Sequence, residues 1–330
     1  MTCPASDAAS PVRPSRSPEQ RDSRRFWSDA LAWRGAVTPV VLPRVLGFGL
    51  YGLAVGLAHE ALGWQGLEAG PVHFTGGFLA LLLVLRTNAG YERWWEARKL
   101  WGGIVNQSRN LAVAGLAYGP ADEVWRQRFV RWSAAFPAVA RRSLRGEREL
   151  PDVAALLQSP EEAARLARAG HMPSAVSLRL GALLREALER GAMPSMAFYS
   201  AEYERARLID HVGGCERILK TPMPRVHTIK LRRFLVLYLL VLPPAVAGQL
   251  WWTPALVTIL VAYPLLAIDQ IAVELENPFS KRNLSHLPLE DICSTVEANL
   301  LDLLGPEGGR PEAPSPPAAG GPLTGGHALP

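Results

Sequence analysis

Four long apolar segments most constrain what this chain can fold into. They lie at about 36–58, 72–91, 232–250 and 251–274, and a membrane-spanning helix needs about 20 predominantly apolar residues. The first segment has that length on its own, whereas the other three reach it only when their polar ends are included. Buried helices of a soluble protein are the alternative, so a second observation is needed to decide.

The distribution of basic residues supplies that observation. The links between the first and second segments and between the third and fourth contain no Lys or Arg. Basic residues instead cluster before the first segment, after the second and before the third: Arg13, Arg16, Arg21, Arg24, Arg25 and Arg34; Arg86, Arg93, Arg98 and Lys99; Arg225, Lys230, Arg232 and Arg233. Cytoplasmic flanks carry such an excess. The pattern predicts a multi-pass membrane protein with both termini and the middle region in the cytoplasm.

The remainder of the chain has a helical pattern and polar ends. Apolar residues recur at helical spacing through the middle region, about 93–228, and a last amphipathic helix is expected within 276–304. Tails at 1–25 and 305–330 are rich in Pro with Ser, Arg or Gly, and we expect disorder there. Helix breaks are expected at Pro120, Pro137, Pro151, Pro160, Gly170, Pro173 and Pro194. The fold class is therefore all-α, with four transmembrane helices and a helical cytoplasmic body.

Catalytic and metal-binding patterns are absent from the sequence. It has no Walker loop, GxSxG or HExxH, and its seven histidines show no metal-ligand spacing. Three widely separated cysteines exclude a zinc ribbon, and we expect Cys215 and Cys293 to be buried thiols. These observations predict a protein that is not an enzyme and has no cofactor or metal. The net charge of +5 favours contact with membrane lipids over nucleic acid, because it lies beside apolar segments.

Three segments have unusual compositions. Residues 86–101 read RTNAGYERWWEARKLW, which is typical of an interfacial aromatic and basic anchor. Residues 211–224 read HVGGCERILKTPMP, in which the glycine pair and two prolines predict a bent connection. Residues 276–279 read ENPF and are followed by LPLEDIC at 287–293, which predicts the end of the fourth segment and the start of the last helix.

In this order the three motifs resemble those of the bestrophin family, in its bacterial branch. The resemblance spans about 26–304 and implies a channel domain of that extent in the inner (plasma) membrane. It also implies a homopentamer around a central pore that conducts small monovalent ions passively. Anions such as chloride are expected, and a cation-selective channel of the same fold is the alternative. The matching motif residues are Arg93, Trp94, Trp95, Gly213, Gly214, Pro224, Asn277, Pro278 and Phe279.

The resemblance also implies constrictions along the pore. Counting back from Arg93 places the family's apolar neck at Leu85, Leu81 and Gly77. Their i, i+4, i+8 spacing puts them on one helix face. Gly77 supplies no side chain, so Phe78 is an alternative at that level. A second constriction, at the cytoplasmic end, falls on Met196.

Acidic residues near the fourth segment leave further questions open. Animal members of the family carry a calcium clasp just after NPF, whereas residues 280–285 here are basic and polar, so we expect no calcium gating through that site. Asp269, Glu274 and Glu276 either attract cations or pair with Arg86 or Arg93, and pairing is favoured for charges at membrane depth. A membrane enzyme and a non-conducting helical scaffold are the rival functions.

Overall fold

The computed structural model describes residues 26–28, 30–33, 35–64, 66–67, 69–248 and 250–305. The tails predicted at 1–25 and 305–330 lie outside these residues, apart from Gly305. All regular secondary structure in the described part is helical, and no strand occurs there, which confirms the all-α class. The helices are α1 (Thr38–Leu62), α2 (Ala69–Tyr118), α3 (Glu123–Leu144), α4 (Pro151–Leu157), α5 (Pro160–Arg168), α6 (Met172–Glu189), α7 (Ser195–Lys220), α8 (Arg225–Ala245), α9 (Thr253–Glu276) and α10 (Leu289–Asp302).

The chain divides into two compact units. The first contains the described residues up to Ala80 together with Phe234–Ile271. The second contains Leu81–Arg233 and the described residues from Ala272 onward. Three helices, α2, α8 and α9, contribute residues to both units.

Membrane-spanning capacity differs from the prediction at one segment. Among the described residues, α1, α2 and α9 are long and apolar enough to cross a membrane, whereas α8 is not, so the fourth span predicted at 232–250 is not found. The reason is that Lys230, Arg232 and Arg233 lie in the first half of α8. Its uncharged part, 234–245, measures about 18 Å at 1.5 Å per residue, short of the roughly 30 Å of a bilayer core.

Helix α2 is continuous through the point where the second segment was expected to end, near residue 91. It contains 50 residues, which corresponds to about 75 Å, more than twice the thickness of a bilayer core. One helix therefore carries both the predicted membrane segment and the first part of the predicted cytoplasmic body.

Close helix packing in the first unit depends on small residues of α1. A Cβ atom added at Gly56 would collide with the backbone carbonyl oxygen of Trp251, and one at Gly52 would lie 2.9 Å from the carbonyl oxygen of Pro254. Small residues allow this backbone approach between membrane helices. The Tyr51 hydroxyl also donates to the carbonyl oxygen of Leu240, over 3.0 Å, and so links α1 to α8.

The core of the second unit is built around α3. Trp125, Phe129 and Phe136 are completely or almost completely buried there. The Trp125 indole donates to the Leu183 carbonyl oxygen of α6 at 3.1 Å. Pro137 lies inside α3 without ending it, contrary to the break expected at this position. Burial of the helix on all sides around Pro137 outweighs the cost of one lost backbone hydrogen bond.

The glycine pair at 213 and 214 also differs from its prediction, because both residues lie inside α7 and not in a bend. A Cβ atom at Gly214 would lie 2.8 Å from two methyl carbons of Leu100, so this glycine permits close packing of α7 on α2. Gly213 is exposed and has open space around it. The bend occurs later, between Lys220 and Arg225.

Both described cysteines are buried, as predicted. Burial raises the pKa of the Cys215 thiol to about 12, and the carboxylates of Glu216 and Glu96 act in the same direction. Burial likewise raises the pKa of Cys293 to about 12. Both side chains are therefore neutral thiols at physiological pH, and they pack as small apolar groups.

Candidate functional site

The predicted neck residues lie on an exposed face of α2. The side chains of Leu81 and Leu85 are 55% and 56% exposed, whereas Leu83 between them is completely buried. Gly77 is exposed, and a Cβ atom there would meet nothing within 4 Å. Phe78 is exposed as well. This face is therefore free, in a single chain, to contact another copy, lipid or an aqueous pore.

The same face changes from apolar to polar after Leu85, towards the C-terminus of α2. Asn88, Glu92, Trp95 and Lys99 continue it at helical spacing, and all four are exposed. The exposed face is thus apolar at Leu81 and Leu85 and becomes polar and charged within one turn. This transition is typical of a helix that leaves an apolar environment for an aqueous one.

Arg86 lies at this transition, with its side chain completely buried. Its Nη2 atom is 3.4 Å from Oε1 of Glu276, the last residue of α9. The pairing expected for the acidic residues of the fourth segment is therefore confirmed at Glu276. Glu274 accepts a hydrogen bond of 2.7 Å from the Leu284 backbone N–H.

Two residues of the RWW motif tie α2 to neighbouring loops. The Arg93 guanidinium donates from Nε to the Glu276 carbonyl oxygen and from Nη1 to the Thr221 carbonyl oxygen, each at 2.8 Å. The Trp94 indole donates to the carbonyl oxygen of Ser285, also at 2.8 Å. Trp95 is half-exposed and stacks on Trp94, with ring centroids 6.5 Å apart. We call Arg86, Arg93, Trp94, Thr221, Glu276 and Ser285 the anchor.

The loop after α9 is held in shape by its own side chains. Asn277 accepts a hydrogen bond from the Phe279 backbone N–H at 3.1 Å, and the Asn283 amide donates to the carbonyl oxygens of Glu274 and Asn277. Pro278 and Phe279 are buried. The NPF sequence therefore forms a turn whose aromatic side chain enters the core of the second unit.

Arg145, at the end of α3, holds this loop from the other side. Its Nε atom donates to the Phe279 carbonyl oxygen at 2.9 Å, and its guanidinium pairs with the Glu290 carboxylate. Lys281 pairs with the same carboxylate at 2.7 Å. The hydrogen bonds from Arg145 hold the pKa of Glu290 well below its usual range; burial opposes them, and Lys281 adds to them.

The loop carboxylates are thus engaged with protein groups. Glu274 bonds a backbone N–H, and Glu290 bonds two cations. Within the described residues, no group of three or more His, Cys, Asp or Glu side chains has a geometry that could hold a metal ion.

Two further predicted residues are exposed in the structure. Met196 is the second residue of α7 and is 82% exposed. Pro224 is exposed and directly precedes α8. Sequence analysis missed Arg145 and Asn283, because their partners are found only in the folded chain; Arg145 and Phe279 are 134 positions apart.

Comparison with protein families places these features in a known context. Residues 18–302 match the family model described as Bacterial/Fungal Bestrophin protein. A voltage-dependent anion channel-forming protein from Synechocystis sp. is 33% identical over 300 residues, covering 88% of this chain and 94% of that protein. A protein of the same description from Escherichia coli K12 is 30% identical, with 87% and 92% covered.

A solved structure is similar over most of the chain. The crystal structure of a bacterial bestrophin homolog from Klebsiella pneumoniae matches with a TM-score of 0.72 and 30% identity, covering 80% of this chain and 98% of the other. The similarity therefore extends over nearly the whole of that channel-family structure.

The anchor generates a prediction about Arg93. Because a lysine has a single ammonium group on a flexible chain, Arg93→Lys cannot bridge two carbonyl oxygens in the way a planar guanidinium does. We expect the substitution to lower the free energy of unfolding by about 1–3 kcal/mol, measured by thermal denaturation in detergent. Arg98→Lys, at an exposed arginine of the same helix, is the control. Equal stability of the two variants would contradict the anchor.

The low pKa of Glu290 predicts how stability depends on pH. A carboxyl with a lowered folded-state pKa stabilises the fold above its unfolded-state pKa and loses that contribution as pH falls through the folded-state value. Glu290→Gln should therefore cost about 0.5–1 kcal/mol at pH 7, since the partly exposed pair is screened by solvent. The difference from the unsubstituted protein should shrink below pH 4.5, the ordinary pKa of this group. Glu149→Gln, at an exposed glutamate, should show no such pH-dependent difference in melting temperature.

Proposed function

The chain belongs to the bacterial and fungal bestrophin family, and on that premise we propose that it forms a pentameric ion channel. Five copies surround one central pore, through which small monovalent anions such as chloride pass down their gradient across the cell membrane. The observation that carries this proposal is similarity over most of the chain to proteins named as anion channel-forming.

The exposed face of α2 supports assembly around a pore. One chain leaves Leu81, Leu85 and Phe78 uncovered, and an ion path needs several copies of such a face. Five copies of α2 close a ring in which these side chains form the neck. Gly77 leaves the upper level of the neck wide, unless Phe78 turns inward there.

A leucine ring acts as a gate because it does not replace the water around an ion. A hydrophobic constriction conducts when it is wide enough to be wetted and stops conducting when it dries. In the proposed channel, Leu81 and Leu85 are that constriction, and Met196 forms the second one at the cytoplasmic end. The channel opens without a calcium clasp after NPF.

The basic residues that flank the apolar parts of α2 and α8 support the orientation of the protein in the membrane. Arg93, Arg98 and Lys99 follow the apolar part of α2, and Arg225 and Lys230 precede the apolar part of α8. We place these flanks, both termini and the body formed by α3–α7 and α10 in the cytoplasm. This placement requires a fourth crossing, which we assign to the apolar part of α8 together with the uncharged residues that follow it in the sequence, up to 252.

Anion conduction is tested in liposomes that contain the purified protein. Under a KCl gradient we expect the reversal potential to lie close to the chloride equilibrium potential. Replacing chloride by gluconate should suppress the flux, and replacing K⁺ by a bulky organic cation should leave it. A reversal potential near the potassium value would assign a cation channel. No flux of either ion from intact oligomers would assign a scaffold.

The neck is tested by truncating its side chains. Leu81→Ala and Leu85→Ala should each raise the open probability or conductance severalfold, because a wider and less apolar ring is wetted more easily. Leu50→Ala, at an exposed leucine of α1, is the matched control and should conduct like the unsubstituted channel. Unchanged single-channel currents in both neck variants would remove Leu81 and Leu85 from the pore.

A further inference from the structure

The first nine residues of α8 carry a one-signed charge cluster. They contain Arg225, Lys230, Arg232 and Arg233 and no acidic residue. Along the chain, no Asp or Glu occurs between Arg217 and Asp269. The positive charge of this stretch is therefore not balanced by acidic neighbours in sequence.

Three of these cations are also unpaired in space. Arg225, Lys230 and Arg233 are exposed and make no hydrogen bond or ion pair with any described residue. Some other arginines of the second unit are paired: Arg205 pairs with Glu202 and Arg217 with Glu96. Like charges on adjacent turns repel one another, so an anion from outside the chain would relieve the cluster.

Exposed apolar side chains lie beside the cluster. Val226 and Ile229 are interleaved with the cations, and Phe234, Leu237 and Leu240 continue along the helix. The uncharged part of α8, residues 234–245, follows these cations directly. A helix with a charged first half and an apolar second half fits the boundary between headgroups and acyl chains.

We propose that Arg225, Lys230 and Arg233 form a binding site for the headgroups of anionic phospholipids. The site takes the phosphate diester of a lipid such as phosphatidylglycerol, with arginine and lysine N–H groups as donors. The neighbouring apolar side chains contact the acyl chains of the same lipid, which selects a lipid over a soluble phosphate. The inference rests on the membrane placement under the proposed function, with α8 entering the cytoplasmic leaflet from its basic end.

This site explains why α8 begins with charges that shorten its apolar part. Cations beside a membrane surface gain free energy from anionic lipids and lose it in a neutral leaflet. The lipid thus holds the start of α8 at the headgroup level, where Arg225, Lys230 and Arg233 have no counter-charge among the described residues.

The test is a titration of the full-length protein in a neutral detergent with short-chain phosphatidylglycerol, followed by thermal shift. Phosphatidylcholine of the same chain length and glycerol 3-phosphate are titrated in parallel. The variants are Arg225→Gln, Lys230→Gln and Arg233→Gln, singly and together. A control variant, Arg128→Gln/Arg165→Gln/Arg168→Gln, removes the same number of charges from α3 and α5.

We expect saturable stabilisation by phosphatidylglycerol and a much weaker response to phosphatidylcholine. Each charge removed from α8 should weaken phosphatidylglycerol binding about fivefold, whereas the control variant should bind like the unsubstituted protein. If the triple variant does not fold, the single variants still decide the matter. Equal affinity in the α8 and control variants would overturn the site, and an equal response to glycerol 3-phosphate would overturn the lipid assignment.

Lipid binding and ion conduction are measured in separate experiments, so each of the two proposals can fail without the other. If the protein binds phosphatidylglycerol through these cations and passes no ions in liposomes, the proposed function fails while the lipid site stands. If it conducts ions and shows no preference for phosphatidylglycerol, the channel stands and the lipid site is overturned.

Discussion

The packing of α2 in the second unit depends on the contacts of two of its arginines, Arg86 and Arg93. A helix of about 75 Å has no reason of its own to keep a fixed direction where it leaves an apolar environment. At that level Arg86 pairs with the Glu276 carboxylate, and Arg93 donates to the carbonyl oxygens of Glu276 and Thr221. These acceptors are the ends of α9 and α7. The Arg93 guanidinium thus satisfies carbonyl groups at two helix C-termini, which would otherwise be left unpaired, and Arg86 holds the side chain of Glu276.

The anchor also explains why three motifs distant in sequence occur in one chain. The first motif supplies the donors Arg86, Arg93 and Trp94, and the second supplies the Thr221 carbonyl oxygen. The third supplies Glu276, and the following loop supplies the Ser285 carbonyl oxygen. Read separately, each motif is an interfacial anchor, a bend or a helix end. In the fold the motifs contact one another, and each supplies hydrogen-bond donors or acceptors to another.

The sequence predicted well what depends on local chemistry. Apolar length identified α1, α2 and α9 as candidate spans, and ENPF marked the end of α9. It predicted poorly what depends on packing: Pro137 does not break α3, and the glycine pair lies inside α7, where Gly214 admits Leu100. A periodicity cannot show whether a glycine makes a turn or a close contact. The boundary expected at residue 250 differs from the helix end, because apolar residues on both sides of the proline pair were counted together, whereas α8 ends at Ala245.

The continuity of α2 restricts how a gate at the neck could work. Leu85 directly precedes Arg86, so a rotation of the whole helix would turn the proposed neck residues and displace the anchor at the same time. Such a rotation would break the Arg86–Glu276 pair and both hydrogen bonds of Arg93, and breaking an ion pair of a buried charge is costly. A movement confined to the helix above Arg86 avoids that cost. Gly76 and Gly77 lie one turn above Leu81, and glycine weakens a helix where it occurs. The physics of the anchor therefore favours a gate that bends α2 between these glycines and Arg86, with the part below held still.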